Sequence, residues 1–434
     1  MRSEIINARL DLDGPLVAIG INCGQITHVG DRQGWPVALD AKEDLALPGD
    51  VDGHVHDRDD GSADSPKETR WTAQAAAIRG GVTTTVAQAN TTRTITSIER
   101  LVSKLEALRE AKITCLQWYG ATPYNSKTFA QAATIVGCVG VKMCTANTTA
   151  TGEMLVDKPE DQYEICARAA EHDFLVDVHS EKEAMIKKSE RRLRNQGIAL
   201  NLSHHCEIRH WEAEWEQTCE ILEIARKTGC KVNIAHVSAP ETLEEILWAA
   251  ETGVRVTFEF CPQYCFFSSE DLARSDGWRV KCNPSVRSPE QRDKMLAYLC
   301  DETIKAGMLA TDHAPHNPKE DKMGEGYGGV ASGMPGLETA LPLCLDLVNQ
   351  GKMSLDRLRY LTAEKPAETL GLQHKGHIAA GFDADIVVID MKATWTIDDA
   401  DVVTQCGWTP FHGQTVQGIP KATIAAGKVL MNRF

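Results

Sequence analysis

Leu47-Pro48-Gly49-Asp50-Val51-Asp52-Gly53-His54-Val55-His56-Asp57-Arg58 is the stretch that decides the fold. Residues Leu47–Val55 read as a short β-rich run that ends in histidines at alternate positions. Working outward, β-rich runs alternate with longer amphipathic patterns as far as residue 377. The further runs are Val82–Ala87, Ile113–Trp118, Val139–Met143, Phe174–His179, Val232–His236, Val254–Phe258 and Met308–Thr311. Helical patterns fall between them at Ser97–Ala111, Pro159–His172, Ala213–Thr228, Pro240–Thr252 and Pro289–Ala306, several opening on Ser or Pro as helix starts do. Eight such units imply parallel strands with crossover helices, and eight is the number that closes a (β/α)8 barrel. An open doubly wound sheet would want a glycine-rich turn after an early strand, whereas Gly80-Gly81 precedes one.

The ends read differently. Residues 1–46 give short strands (Arg9–Leu12, Pro15–Asn22, Gln25–Gly30), and residues 378–434 give two more, at 384–389 and Ala422–Val429. The expected fold is therefore α/β: a TIM-like barrel over 47–377, flanked by a small β domain assembled from 1–46 and 378–434.

The chain has 434 residues, and 46 Lys+Arg against 61 Asp+Glu leave a formal charge of −15, which argues against nucleic acid or an anionic membrane as the main partner. With 42% hydrophobic and 25% charged residues the composition is that of an ordinary globular chain, so disordered and fibrous classes are excluded. No apolar run approaches the roughly 18 residues of a spanning helix. Residues 1–7 lack the basic-then-apolar pattern of a signal peptide. The 14 cysteines are scattered, and Cys261 and Cys265 make the closest pair; we read them as reduced thiols of a cytoplasmic protein.

In a barrel of this type chemistry is done at the carboxyl ends of the strands. There the sequence places His54 and His56 on one run and Lys142, His179, His236 and Asp312 each on another. Alternate residues of a strand share a face, so His54 and His56 can reach one cation, although two unrelated surface histidines would look the same. A lysine in an apolar run is costly as a bare ammonium. Deprotonated, Lys142 could take up carbon dioxide as a carbamate whose two oxygens bridge two cations; a salt-bridged lysine is the plainer reading. Two divalent cations would lower the pKa of bridging water from 15.7 toward roughly 7 and make a hydroxide nucleophile. Asp312 would then carry the proton to a leaving nitrogen, which implies hydrolysis of an amide-like bond. Arg58, Asn90 and His316 could hold a substrate carboxylate, unless Arg58 is merely paired with Asp57, Asp59 or Asp60.

With these stretches in view, the chain resembles the amidohydrolase superfamily, and within it the dihydroorotases. The resemblance is carried by 54–58, Asn90-Thr91, Val141-Lys142, Val178-His179-Ser180-Glu181, Ala235-His236-Val237, Asn283-Pro284, Thr311-Asp312-His313-Ala314-Pro315-His316 and Gly333-Met334-Pro335-Gly336-Leu337-Glu338-Thr339. It implies that His54 and His56 bind a first metal, His179 and His236 a second, and that a carboxylated Lys142 bridges them. Asp312 would be ligand and general base. Arg58, Asn90 and His316 would bind the substrate carboxylate. Asn283 and the backbone near Ser332 and Gly333 would meet a pyrimidine ring, with Thr148 on a loop that touches substrate. The implied reaction is the reversible hydrolysis of dihydroorotate to N-carbamoyl-aspartate in pyrimidine biosynthesis, with zinc as the metal and a homodimer as the assembly. The chain departs from the family pattern at Asp59-Asp60-Gly61 and at Ala89, which loosens turns without removing a functional group. Many bacterial relatives place aspartate where Lys142 stands, and the lysine here favours the two-metal form. Other cyclic amidases (allantoinase, hydantoinase, dihydropyrimidinase) are the rival reading. A catalytically silent partner of aspartate transcarbamoylase is a further one, and association of an active enzyme with that protein is also open.

Overall fold

The computed structural model describes residues 2–59, 67–149 and 151–434; Asp60 and Gly61 of the departing turn lie outside them. A first group of strands comprises β1 (Arg2–Arg9), β2 (Leu16–Asn22), β3 (Gln25–Gly30), β4 (Val37–Asp40) and β5 (Leu45–Pro48). The second comprises β6 (Asp50–Val55), β7 (Val82–Ala87), β8 (Thr114–Gly120), β9 (Cys138–Cys144), β10 (Leu175–His179), β11 (Val232–Ile234), β12 (Val256–Phe260) and β13 (Gly307–Leu309). The chain closes with β14 (Ile386–Thr396), β15 (Thr415–Ala425) and β16 (Lys428–Asn432).

Strands β6 to β13 pair in sequence order, all parallel, with helices between them. This is the eight-stranded barrel expected from the alternation of runs. Its strands are buried almost throughout, as parallel strands covered by helices must be. At the seam between β13 and β6 the ladder is replaced by other contacts. The Asp52 carboxylate accepts from the Thr311 N–H at 3.2 Å and its hydroxyl at 2.5 Å, and the His56 N–H donates to the His313 carbonyl at 2.7 Å. The covering helices begin where the sequence suggests. Ser97 and Ser288 cap their helices by accepting from the third N–H, and Pro159, Pro240 and Pro289 stand in first turns that have no partner for an N–H.

The terminal strands build a second sheet in the order β16-β15-β14-β5-β1-β2-β3, with β4 against β1. Three sequence expectations are corrected here. The run Leu47–Val55 is two strands: Leu47 and Pro48 belong to β5 in this sheet, and β6 starts at Asp50. Gly49 makes the crossing, and a Cβ there would lie 2.3 Å from the Thr83 side chain, so no larger residue fits. Arg9–Leu12 is mostly a turn, and the strand is β1, whose mixed Arg2-Ser3-Glu4 start hid it. Ala422–Val429 is a hairpin, since Ala426 (φ 46°) and Gly427 (φ 74°) turn β15 into β16.

Candidate active site

All the residues expected at the strand ends converge. One cavity is lined by His54, His56, Arg58, Asn90, Lys142, Thr148, His179, His236, Asn283, Asp312, Ser332 and Gly333. His316 stands just behind, with Nε2 3.2 Å from Arg58 Nη2 and 3.0 Å from the Ser332 carbonyl. A larger cavity, about 720 Å³, opens among Leu175, Val232, Val256 and Lys365 at the amino ends of the strands. It holds none of these groups, and chemistry in such barrels is done at the opposite end.

His54 and His56 project from successive same-face positions at the end of β6. Ligand atoms of His54, His56 and Asp312 lie within 4.8 Å of one another, with Asp312 Oδ1 3.2 Å from His56 Nε2 and 3.5 Å from His54 Nε2. The second pair faces them: His179 Nδ1 is 3.0 Å from His236 Nε2, and the His54 and His236 rings are 5.2 Å apart. His54 Nε2 and His236 Nδ1 are buried and have no hydrogen-bond partner among the described residues. Buried polar atoms are rarely left so. Two orphaned imidazole nitrogens, one of them 3.5 Å from the Asp312 carboxylate, are what a divalent cation site presents, and nitrogen and oxygen donors in this mixture suit zinc-like ions. Burial also keeps the rings neutral, as ligands must be. It pushes His54 down to about 4, with Lys142 adding to the shift, and it takes His56 and His236 well below the ordinary histidine value.

Carboxylates fix the outer sides of two rings. Glu259 Oε2 sits 2.8 Å from His54 Nδ1, and Glu181 Oε2 sits 2.8 Å from His179 Nε2, so the opposite nitrogens face the cavity. Burial by itself raises Glu181, but its ion pair with Arg209 and the His179 contact bring it to about 2. Neither Glu259 nor Asp177 was singled out from sequence. Each is an acid within a buried strand, and Asp177, two before His179, shares its face; that spacing was the available signal.

Lys142, on β9, is buried and ion-paired with Asp177 at 2.7 Å. Burial disfavours its charge, but Asp177, Cys144 and Glu259 together hold its pKa above the ordinary lysine value. The plainer sequence reading, a salt-bridged lysine, thus describes this geometry. Burial raises Asp312, while His54, Lys142 and Arg58 around it oppose the rise.

Among the described residues Arg58 is not tied to its acidic neighbours Asp57 and Asp59, and Asp60 lies outside them. Asp57 pairs with Lys104 at 2.6 Å and Asp59 with Arg70 at 2.8 Å. The guanidinium instead donates to the Pro315 carbonyl at 3.3 Å and meets His316. Arg58, His236 and Asp312 all have positive φ (55°, 40° and 47°), a conformation costing of order 1–3 kcal/mol at a non-glycine residue and held by the surrounding structure. Around the rest of the cavity, Asn90 donates to the Thr149 carbonyl at 3.1 Å and Asn283 to Thr148 Oγ1 at 3.2 Å, leaving both amide oxygens buried without partners among the described residues. Thr149 Oγ1 reaches the Ser332 carbonyl at 3.1 Å. The Gly333 N–H is already taken by the Lys281 carbonyl at 2.9 Å, so from that residue only close van der Waals approach is on offer. Its φ of 130°, with Ala314 O 2.7 Å from where a Cβ would stand, demands glycine.

Comparison with known proteins places the family and the fold. The Amidohydrolase family profile matches residues 45–430. A protein named dihydroorotase from Halobacterium salinarum is 32% identical over 433 residues, covering 98% of this chain and 95% of its own length. One of the same name from Lactobacillus gasseri is 31% identical, covering 100% and 99%. Among solved structures, the L-hydantoinase (dihydropyrimidinase) from Arthrobacter aurescens superposes with a TM-score of 0.92 at 27% identity, covering 99% of this chain and 96% of that one.

Proposed function

The chain belongs to the amidohydrolase family, and from that premise we propose that it is a dihydroorotase, interconverting dihydroorotate and N-carbamoyl-L-aspartate in pyrimidine biosynthesis. One observation carries the choice of substrate: Arg58 is a buried cation at the cavity wall with no carboxylate within 4 Å among the described residues. Burying a charge without a partner is costly, and a substrate carboxylate would supply the missing one. Lys281, also buried, is held by the Tyr327 and Val330 carbonyls behind Ser332 and Gly333, and burial lowers its pKa only to about 8, so it brings positive charge to that side of the cavity although the chain as a whole is acidic.

His54, His56 and Asp312 would hold one divalent cation, His179 and His236 a second, with Lys142 between them; zinc is our assignment. When bound, such ions lower the pKa of water and polarise a carbonyl oxygen. The chain's own groups do the rest. Arg58 and Asn90 grip the carboxylate, with His316 steadying Arg58 and the Ser332 carbonyl. The free amide oxygens of Asn90 and Asn283 accept ring N–H groups. Asp312 takes a proton from the attacking water as the C–O bond forms, and returns it to the ring nitrogen as the C–N bond breaks. For Lys142 to become a carbamate, the ammonium must first release a proton past Asp177. Carbon dioxide then adds to the amine, a second proton leaves, and one N–H remains that can still donate to Asp177.

We also read the enzyme as a cytoplasmic homodimer, with association with aspartate transcarbamoylase an open possibility; among the described residues no helix is long and apolar enough to cross a membrane. A hydantoinase-like activity on uncharged rings is the second reading, favoured by the likeness to the Arthrobacter enzyme. The silent-scaffold reading is disfavoured because all six candidate ligands are present and together. The test is direct: protein supplied with zinc and bicarbonate is offered carbamoyl-aspartate, dihydroorotate, hydantoin and dihydrouracil. Turnover of the first two supports the proposal. Turnover of only the uncharged rings moves the assignment to the second reading, and turnover of none refutes both.

A further inference from the structure

Beneath the candidate ligands the barrel interior carries a layer of polar side chains where such barrels ordinarily stack apolar ones. It can be followed strand by strand. Lys142 on β9 donates to Asp177 Oδ2 on β10 at 2.7 Å. Asn233 on β11 donates from one Nδ2 to Asp177 Oδ1 at 2.7 Å and to Glu259 Oε1 on β12 at 3.0 Å. Glu259 Oε2 then accepts from His54 Nδ1 on β6 at 2.8 Å and from the His236 N–H at 3.0 Å. All five side chains are buried. A single hydrogen-bonded hoop therefore ties His54, His236 and Lys142, ligands from both halves of the proposed centre.

We infer that Glu259, oriented by Asn233, is a positioning residue that presets both metal subsites together. Glu259 Oε2 accepts the His236 N–H, and when ionised it can only accept from His54 as well, which places the imidazole proton on Nδ1 and turns a bare Nε2 toward Asp312 and His56. The same oxygen pins the backbone of His236, whose φ of 40° needs such support. The direction of the two Asn233 bonds is fixed, because its amide oxygen is occupied by the Thr257 hydroxyl at 2.9 Å and only its NH2 faces the acids. A glutamine at 259 cannot satisfy this pattern. If its oxygen faces His54, its NH2 meets the NH2 of Asn233; if its NH2 faces His54, the imidazole proton moves to Nε2 and the ligand lone pair is lost.

The inference rests on the metal-centre reading, and the experiment separates the two. Zinc affinity is measured by competition with a chromophoric chelator for the full chain and for Glu259→Gln, Thr257→Val and Ile19→Ala. Ile19 lies in the core of the terminal sheet, so its variant is destabilised without touching the hoop. The expected result is zinc affinity weaker by roughly 10- to 100-fold in Glu259→Gln, the range typical of lost outer partners of metal ligands. A smaller loss is expected in Thr257→Val, and wild-type affinity in Ile19→Ala. Folded Glu259→Gln within twofold of wild type overturns the inference, as does an equal loss in Ile19→Ala. Should Glu259→Gln fail to fold, Thr257→Val decides, and unchanged affinity there overturns it. Wild-type protein that takes up no zinc removes the metal-centre reading itself, and this inference with it.

Discussion

Replacing Arg58 by Met keeps an unbranched apolar stem and removes the guanidinium and its charge, and the structure gives opposite signs for its effects on activity and on stability. Burial draws the Arg58 pKa from 12.5 to about 10. At 1.36 kcal/mol per unit, that amounts to about 3 kcal/mol of penalty for carrying the cation in the folded state, constant at any pH well below 10. Against it stand the 3.3 Å bond to Pro315 and the His316 contact, worth about 1 kcal/mol each. The free variant should therefore be as stable as wild type or slightly more so. With a carboxylated substrate the balance reverses, because removing one partner of a buried pair costs about 3–5 kcal/mol, a fall of roughly 10²- to 10⁴-fold in kcat/KM. Hydrolysis of dihydrouracil should be unaffected. The assay is steady-state kinetics on both substrates beside a thermal melt. A folded Arg58→Met that keeps kcat/KM for dihydroorotate within threefold, or loses activity equally on both substrates, would refute the reasoning.

Asp312→Asn removes both a ligand and the proton carrier, and kcat should drop by at least the roughly 10²- to 10⁴-fold ascribed to general acid–base catalysis, in either direction of the reaction. Exhaustive dialysis against a chelator should abolish turnover, and a divalent cation with bicarbonate should restore it more fully than the cation alone. Lys322 gives a pH test of stability: burial lowers its pKa from 10.5 to about 7, so between those values the unfolded chain binds a proton that the folded one does not. Stability from this group therefore rises with pH, by about 2–3 kcal/mol from pH 7 to pH 9, in urea titrations of wild type relative to Lys322→Met. A difference that is flat or of opposite sign would show that the buried amine is not the source.

The chemistry was easier to read in the sequence than the framework supporting it. His54 and His56 announce themselves by spacing, and His179, His236 and Asp312 by ending separate β-rich runs; the barrel brings them together because each run is one parallel strand. Glu259, Asp177 and Asn233 left no such mark. An acid inside a strand is read as the polar half of an ordinary alternation, and only closure of the barrel turns that half inward. The charge state of Lys142 was likewise hidden, since burial and a partner on the next strand pull in opposite directions and the partner's position is tertiary information. In the terminal sheet the errors are local. Pro48-Gly49 is a turn-type dipeptide inside a stretch that otherwise reads as one β-rich run, and the hairpin at Ala426-Gly427 is short enough to pass for a bulge.

The order of the terminal sheet has a bearing on how the chain is made. β5 lies between β1 and β14, yet more than 330 residues separate β5 from β14 in sequence. During synthesis, β1 to β5 emerge first and wait with one flank open while the whole barrel is translated. Such an unpaired flank is a template for wrong partners. Chains stopped short of Ile386 would keep that flank open indefinitely, so ribosome stalling late in the message, rather than early, should yield the most aggregation-prone fragments.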